Sequence, residues 1–188
     1  MAEAIDKKQL TEEDIKHRYI PRALHDAGWA DEQIFMEHYF SAGRIAIHGK
    51  HAKRREGKKA DYLLCSTPNL PIAVVEAKDN KHQISDGIQQ AIDYARILDL
   101  SFAYSSNGDG FYEHDLVNGM ERGIALNEFP SPDELTERYF KYRNLSDDAK
   151  KAVYEPYYFG MDSYEPRYYQ RIAINRTVEA VANGMKRA

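Results

Sequence analysis

The sequence predicts an α/β domain whose mixed central sheet is flanked by helices, and three observations carry that expectation. Short segments of β-branched and aromatic residues recur between turn residues. Two long stretches, 12–27 and 84–98, place apolar residues at helical spacing. One run, Ile72 to Val75, is apolar enough that it must lie in a core. At 188 residues the chain accommodates one domain of usual size and a small appendage.

Thr11 with Asp14 three residues on resembles a capping box, and Gly28 fits a stop, so residues 12–27 read as helix. Ile15, Tyr19, Ala23, Leu24 and Ala27 form its apolar stripe. Pro21 lies inside, removing a hydrogen bond and clashing with the turn before it, so a kink or break is expected near Ile20. "IFMEHYF" (34–40) and "GRIAIHG" (43–49) read as strands, and a basic tract follows them. "ADYLLCS" (60–66) and "PIAVVEA" (71–77) read as a strand pair around the turn "TPNL".

Ile84, Ile88, Ala91, Ile92, Ala95 and Leu98 make residues 84–98 an amphipathic helix packed on the sheet. "SFAYSS" reads as an inner strand and "NGDG" as a tight turn. "FYEHDL" and "RGIAL" form a hairpin around Asn118-Gly119. Ser131, Pro132 and Glu134 start a helix that ends near Arg143. The stretch 154–170, crowded with tyrosine, proline and glycine, reads as a linker, and the residues after it as a further helix. The expected division is therefore a first domain at 1–150 and an appendage at 151–188.

Composition narrows the function classes. With 43% hydrophobic and 30% charged residues the chain is of globular type. No apolar run reaches the roughly 20 residues of a membrane span, and "MAEAIDKKQL" lacks a signal peptide's apolar stretch, so the cytoplasm is the default. Cys65 is the only cysteine, which excludes an intrachain disulfide or a cysteine-based zinc cluster. A net charge of −4 argues against nucleic-acid binding by overall charge, so any such role needs a local patch.

Side chains alternate along a strand, so Glu76 and Lys78 share one face at a strand end and Ala77 points the other way. If the neighbouring strand pairs with this one, Asp61 brings a second carboxylate to the same patch. Two hard oxygen ligands and an ammonium suit phosphodiester hydrolysis: the carboxylates can hold Mg²⁺, and the lysine can orient water or stabilise charge on the phosphorane. "EAK" alone is ordinarily a solvated surface pair; the apolar run before it and Asp61 one strand away make it more. "KHAKRREGKK" (50–59) adds six Lys or Arg against one Glu directly before Asp61, including Lys53, Arg54, Arg55, Lys58 and Lys59. Such a tract either lies where a phosphate backbone passes or is simply a mobile basic loop. His48 and His51 lack a third partner for zinc, and no phosphate-binding loop for ATP is present.

These residues resemble a known family. "AD" at 60–61 followed by "VVEAK" at 74–78 is similar to the PD-(D/E)XK nuclease signature, with Ala60 where a proline often stands. Gln90 and Tyr94 match the QxxxY element of one branch, and "EEDIKHRYIPRALHDAGW" and "YSSNGDG" resemble its opening helix and its "TNG" turn. Over roughly residues 12–115 the chain is similar to the N-terminal endonuclease domain of the motor subunit of type I restriction enzymes.

The resemblance implies a restriction-endonuclease-like fold and a Mg²⁺- or Mn²⁺-dependent DNA endonuclease. It makes Asp61 and Glu76 metal ligands, assisted by the Ala77 carbonyl, and Lys78 the catalytic lysine. Gln90 and Tyr94 approach the DNA or brace the site, and Glu13 is a candidate further acid. Double-stranded DNA and the methyltransferase and specificity subunits of a restriction-modification complex are the implied partners. "EPRYYQRIAI" resembles the glutamine element of superfamily 2 helicases, in which Gln170 would read adenine, so residues 151–188 are expected to be a linker and the start of a truncated motor. ATP then matters only to the full-length protein. The same residues also allow a non-catalytic module that docks DNA or a partner, or a stand-alone repair or junction nuclease.

Overall fold

The computed structural model describes residues 7–40, 45–48, 51–54, 58–155 and 166–185; at 7, 45–48 and 51–54 it describes the backbone only. Two N-terminal helices, α1 (Glu12–Arg18) and α2 (Ile20–Asp26), precede the edge strand β1 (Ile34–Phe40). The hairpin β2 (Ile45–His48) and β3 (His51–Arg54) follows, then β4 (Lys58–Thr67) and β5 (Leu70–Ala77). Next come α3 (Ile88–Leu98), β6 (Phe102–Ser106), β7 (Gly110–Asp115), β8 (Glu121–Ala125), α4 (Pro132–Tyr142), α5 (Asp147–Tyr154) and α6 (Tyr168–Ala182). The six-stranded sheet runs β1-β4-β5-β6-β7-β8, and β2-β3 stands as a separate two-stranded sheet.

The sheet is mixed, as expected. β5 and β6 are parallel, and the other neighbours are antiparallel. A parallel pair needs a crossover, and α3 supplies it. The apolar run in β5 is explained by its place: with β4 on one side and β6 on the other, Ile72 to Val75 are fully buried. Layers cover both faces. Tyr62, Leu64, Val75 and Ala77 pack with Ile15, Ile20 and Leu24 of the N-terminal helices and with Leu135 of α4, whereas Leu63, Cys65 and Val74 pack under Ala91, Ile92 and Ala95 of α3.

Local chemistry accounts for most element ends. Thr11 caps α1 reciprocally with Asp14: the Asp14 N–H donates to Thr11 Oγ1 at 3.2 Å, and Asp14 Oδ2 accepts the Thr11 N–H at 3.1 Å. The expected kink is a full break at Tyr19, because Pro21 can enter a helix only in its first turn. Ser131 caps α4 with Pro132 at the first helical position. α3 begins four residues later than its apolar periodicity, at Ile88 rather than Ile84. The reason is that residues 84–87 are held as turns: the Ser105 hydroxyl binds the Ile84 carbonyl, and the Gln83 N–H donates to Asp86 Oδ2. The basic tract is not simply a loop, since His51–Arg54 forms β3 and Lys58 opens β4.

At the C-terminal side α5 runs through position 150, and α6 docks on the sheet body. Arg176 binds Asp99 at 2.6 Å, and Asn175 Nδ2 donates to the Asn69 carbonyl at 3.0 Å. Trp29 closes the loop after α2, donating from Nε1 to the Pro130 carbonyl at 2.9 Å while only 2% exposed. No helix among the described residues is long and apolar enough to cross a membrane.

Candidate active site

β4 and β5 bring two carboxylates together one step beyond their last paired residues, Tyr62 and Val75. Asp61 Oδ2 accepts the Ala77 N–H at 2.9 Å, and the Asp61 N–H donates to Glu76 Oε1 at 3.3 Å. Each acid is thus fixed by the other's strand. Both are buried, Asp61 at 8% exposure and Glu76 at 1%.

Strand alternation places Glu76 and Lys78 on the α3 side, and one residue of α3 holds both. Gln90 Nε2 donates to Glu76 Oε2 at 2.7 Å, and Gln90 Oε1 accepts from Lys78 Nζ at 3.4 Å. Gln90 Nε2 also reaches the Tyr94 hydroxyl at 3.2 Å, one helical turn along. The Lys78 backbone is pinned as well, because its N–H donates to the Ser106 carbonyl at 2.8 Å. "YSSNGDG" braces the loop that follows Lys78: Asn107 Nδ2 donates to the His82 carbonyl at 2.8 Å, and Asn80 Nδ2 donates to the Asn107 carbonyl at 3.0 Å.

Electrostatics follow from that crowding. Burial, and next the Asp61 carboxylate, push the Glu76 carboxyl up to about 8. Those two causes outweigh the lowering by Lys78, and a divalent ion between the carboxylates would reverse the shift. The donor set therefore fits a hard cation. Among the described residues no group of three or more His, Cys, Asp or Glu side chains is arranged to hold a metal ion. Protein ligands beyond the two acids would have to be backbone oxygen, such as that of Ala77.

The structure adds residues that sequence reasoning missed. Lys16 of α1 lies 3.4 Å from Asp61 Oδ1, 3.0 Å from Glu13 and 2.9 Å from Glu37, and is 1% exposed. Tyr62 fixes it from behind by donating its hydroxyl to the Lys16 carbonyl. Burial alone would lower the Lys16 ammonium, but its bonds to Glu37 and Glu13 and the Asp61 charge outweigh burial and hold it above its ordinary value. Lys59 and Lys16 together depress the Glu37 carboxyl to about 2. Glu13, a candidate further acid, turns to Lys16 and His17, while Glu12 stands 3.8 Å from Lys78. One signal was available: Lys16 adjoins Ile15 on the buried face of α1, where a lysine needs partners.

The remaining expected residues divide. Lys58 Nζ lies 5.3 Å from the Tyr94 ring centre, and Lys59 Nζ bonds Glu37 at 2.8 Å, so the end of the basic tract borders the cluster. Lys53 and Arg54 lie on β3, and Arg55 falls outside the described residues. Gln170 sits in the first turn of α6, where its Oε1 accepts the Arg167 N–H at 2.9 Å, apart from the cluster.

No family model matches the sequence. The chain is 41% identical, over an alignment of 192 residues that takes in all of it, to the type I restriction enzyme EcoAI endonuclease subunit of Escherichia coli. It spans 24% of that relative's length. Its fold matches the structure of a fragment described as the HsdR subunit of a type I restriction enzyme from Vibrio vulnificus YJ016. The TM-score is 0.81 at 41% identity, over 95% of this chain and 34% of that one. Both agree with the resemblance read from Asp61, Glu76, Lys78, Gln90 and Tyr94. The chain is homologous, along its whole length, to one part of the endonuclease subunit of type I restriction enzymes.

Proposed function

We propose that the chain is the DNA endonuclease domain of a type I restriction enzyme motor subunit, hydrolysing phosphodiester bonds with Mg²⁺ or Mn²⁺. The observation that carries this reading is the convergence of Asp61 and Glu76, each bonded to the other's strand, with Gln90 bridging Glu76 to Lys78. Asp61, Glu76 and the Ala77 carbonyl would hold the ion. When bound, it lowers the pKa of a coordinated water and neutralises charge on the phosphate.

The chain's own side chains do the rest. Lys78 supplies a positive charge on the face of the sheet that carries Glu76, where it meets a phosphate oxygen or the attacking water. Gln90 keeps Glu76 and Lys78 in register, so neither must reorganise when substrate arrives. Tyr94, Lys58 and Lys59, with Lys53, Arg54 and Arg55 of the same tract, line the approach of the double-stranded DNA backbone. Recognition of sequence falls to methyltransferase and specificity subunits in the assembled enzyme. Beyond α5 the chain leads into an ATP-driven motor in the full-length protein, where Gln170 contacts adenine, and the site of action is the cytoplasm.

Mn²⁺ titration of the chain tests the reading. Binding that disappears in Asp61→Ala is expected; DNA affinity without any Asp61-dependent ion binding would instead mark a docking module.

A further inference from the structure

Three carboxylates from three elements meet one buried ammonium beside the candidate ligands. Lys16 of α1 contacts Glu13 of the same helix, Glu37 of β1 and Asp61 of β4, at 3.0, 2.9 and 3.4 Å. A lysine at 1% exposure has given up its water, and only close anions make that tolerable. The backbone at Glu37 departs from the strand at this contact. Glu37 has φ +52, and the β1–β4 ladder lacks a pair there, between Met36↔Tyr62 and His38↔Ala60, directly across from Asp61. Non-glycine residues seldom hold that conformation, and where they do the strain tends to sit at functional sites.

The contact also explains how Asp61 is aimed. Its Oδ2 is taken by the Ala77 N–H and its Oδ1 by Lys16, so the carboxylate cannot rotate. We propose that Lys16 is a positioning residue, a built-in cation that holds Asp61 in its ligating orientation for one divalent ion. The inference rests on the reading of Asp61 and Glu76 as ligands of such an ion. The Lys16 ammonium takes Asp61 Oδ1 and is itself held by Glu13 and by Glu37, which Lys59 also binds. Unlike an ion it does not dissociate, so Asp61 keeps its orientation before metal arrives.

Counting Mn²⁺ bound per chain, from the electron paramagnetic resonance signal of the free ion, tests this. The wild type should bind one ion, lost in Asp61→Asn; Lys16→Arg should bind one with affinity near that of the wild type, and Lys16→Met should bind it roughly 10–100-fold more weakly. A lysine with a merely structural role would leave the affinity of the folded variant unmoved. Unchanged or tighter binding on Lys16→Met overturns the role of Lys16 and leaves the ligand assignment standing. No ion on the wild type, or binding indifferent to Asp61→Asn, overturns both. If circular dichroism finds Lys16→Met unfolded, Glu37→Gln, which removes an exposed partner of the ammonium, is measured in its place, and Mn²⁺ affinity unchanged from the wild type overturns the proposal.

Discussion

Gln90 Nε2 donates to Glu76 Oε2 at 2.7 Å, so α3 holds in place the carboxylate that β5 delivers. The same amide accepts from Lys78 at 3.4 Å. Gln90→Ala breaks both links without opening the core, since Gln90 is exposed. Mn²⁺ affinity should fall by roughly 10–100-fold, as for other residues that orient a metal ligand, with little change in melting temperature. Unchanged affinity by calorimetry would remove Gln90 from the site.

Lys78 has no part in binding nucleotide in the proposed scheme. In the full-length enzyme, Lys78→Ala should abolish DNA cleavage while ATP hydrolysis and translocation continue. Gel assays of plasmid cutting beside a phosphate-release assay separate the two activities. Loss of both would contradict the assignment of two chemistries to two domains.

Gly87 controls the room that Lys78 has. A Cβ built there meets Ser105 Cβ at 3.1 Å and the Lys78 Cε and Cγ at 3.4 Å, and the backbone itself is unstrained at φ −88. Gly87→Ala should therefore press Ser105 back by tenths of an ångström, leave Lys78 no slack against the new methyl, and lower stability by about 1–3 kcal/mol, the usual effect of overpacking. Cleavage by the full-length enzyme, measured at a temperature where the variant is fully folded, should fall even so. Wild-type cleavage rates would show that Lys78 tolerates the methyl.

The Glu76 carboxyl makes metal-free stability depend on pH. Its native value, about 8, lies above the ordinary 4.5, so between those values the folded chain holds a proton that the unfolded chain has lost. Stability without metal should therefore decline as pH rises through that window, and divalent-ion affinity should climb, because the ion displaces the proton. Thermal melts in chelator across the window, repeated with Mn²⁺, check both slopes. Glu76→Gln should flatten the first and abolish the second.

Much of this arrangement could be read before any coordinates. The apolar run before Glu76 demanded a buried strand, alternation put Lys78 beside Glu76, and the Thr11 and Ser131 caps marked helix starts through chemistry confined to a few neighbours. What escaped depends on distant partners. Lys16, among the charges of "EEDIKHR", adjoins the buried face, but its partner Glu37, 21 residues away, is named only once the chain is folded. No local rule gives a strand glutamate a positive φ. α5 was missed although Ser146, Asp147 and Asp148 form an ordinary start signal, because eight residues with a short apolar face leave little periodicity to detect. Ile84 has the right spacing for α3, but the bond from Ser105, 21 positions later, holds it outside the helix.

Trp29, the chain's single tryptophan, ties the turn after α2 to the entry of α4 through Pro130. Its indole fluorescence consequently reports one place, in the helical layer away from Lys78 and Gln90. A pocket substitution that leaves the emission maximum where it was has left that layer packed, and one that shifts it to the red has loosened it. A cuvette spectrum can thus sort each variant before any DNA is added.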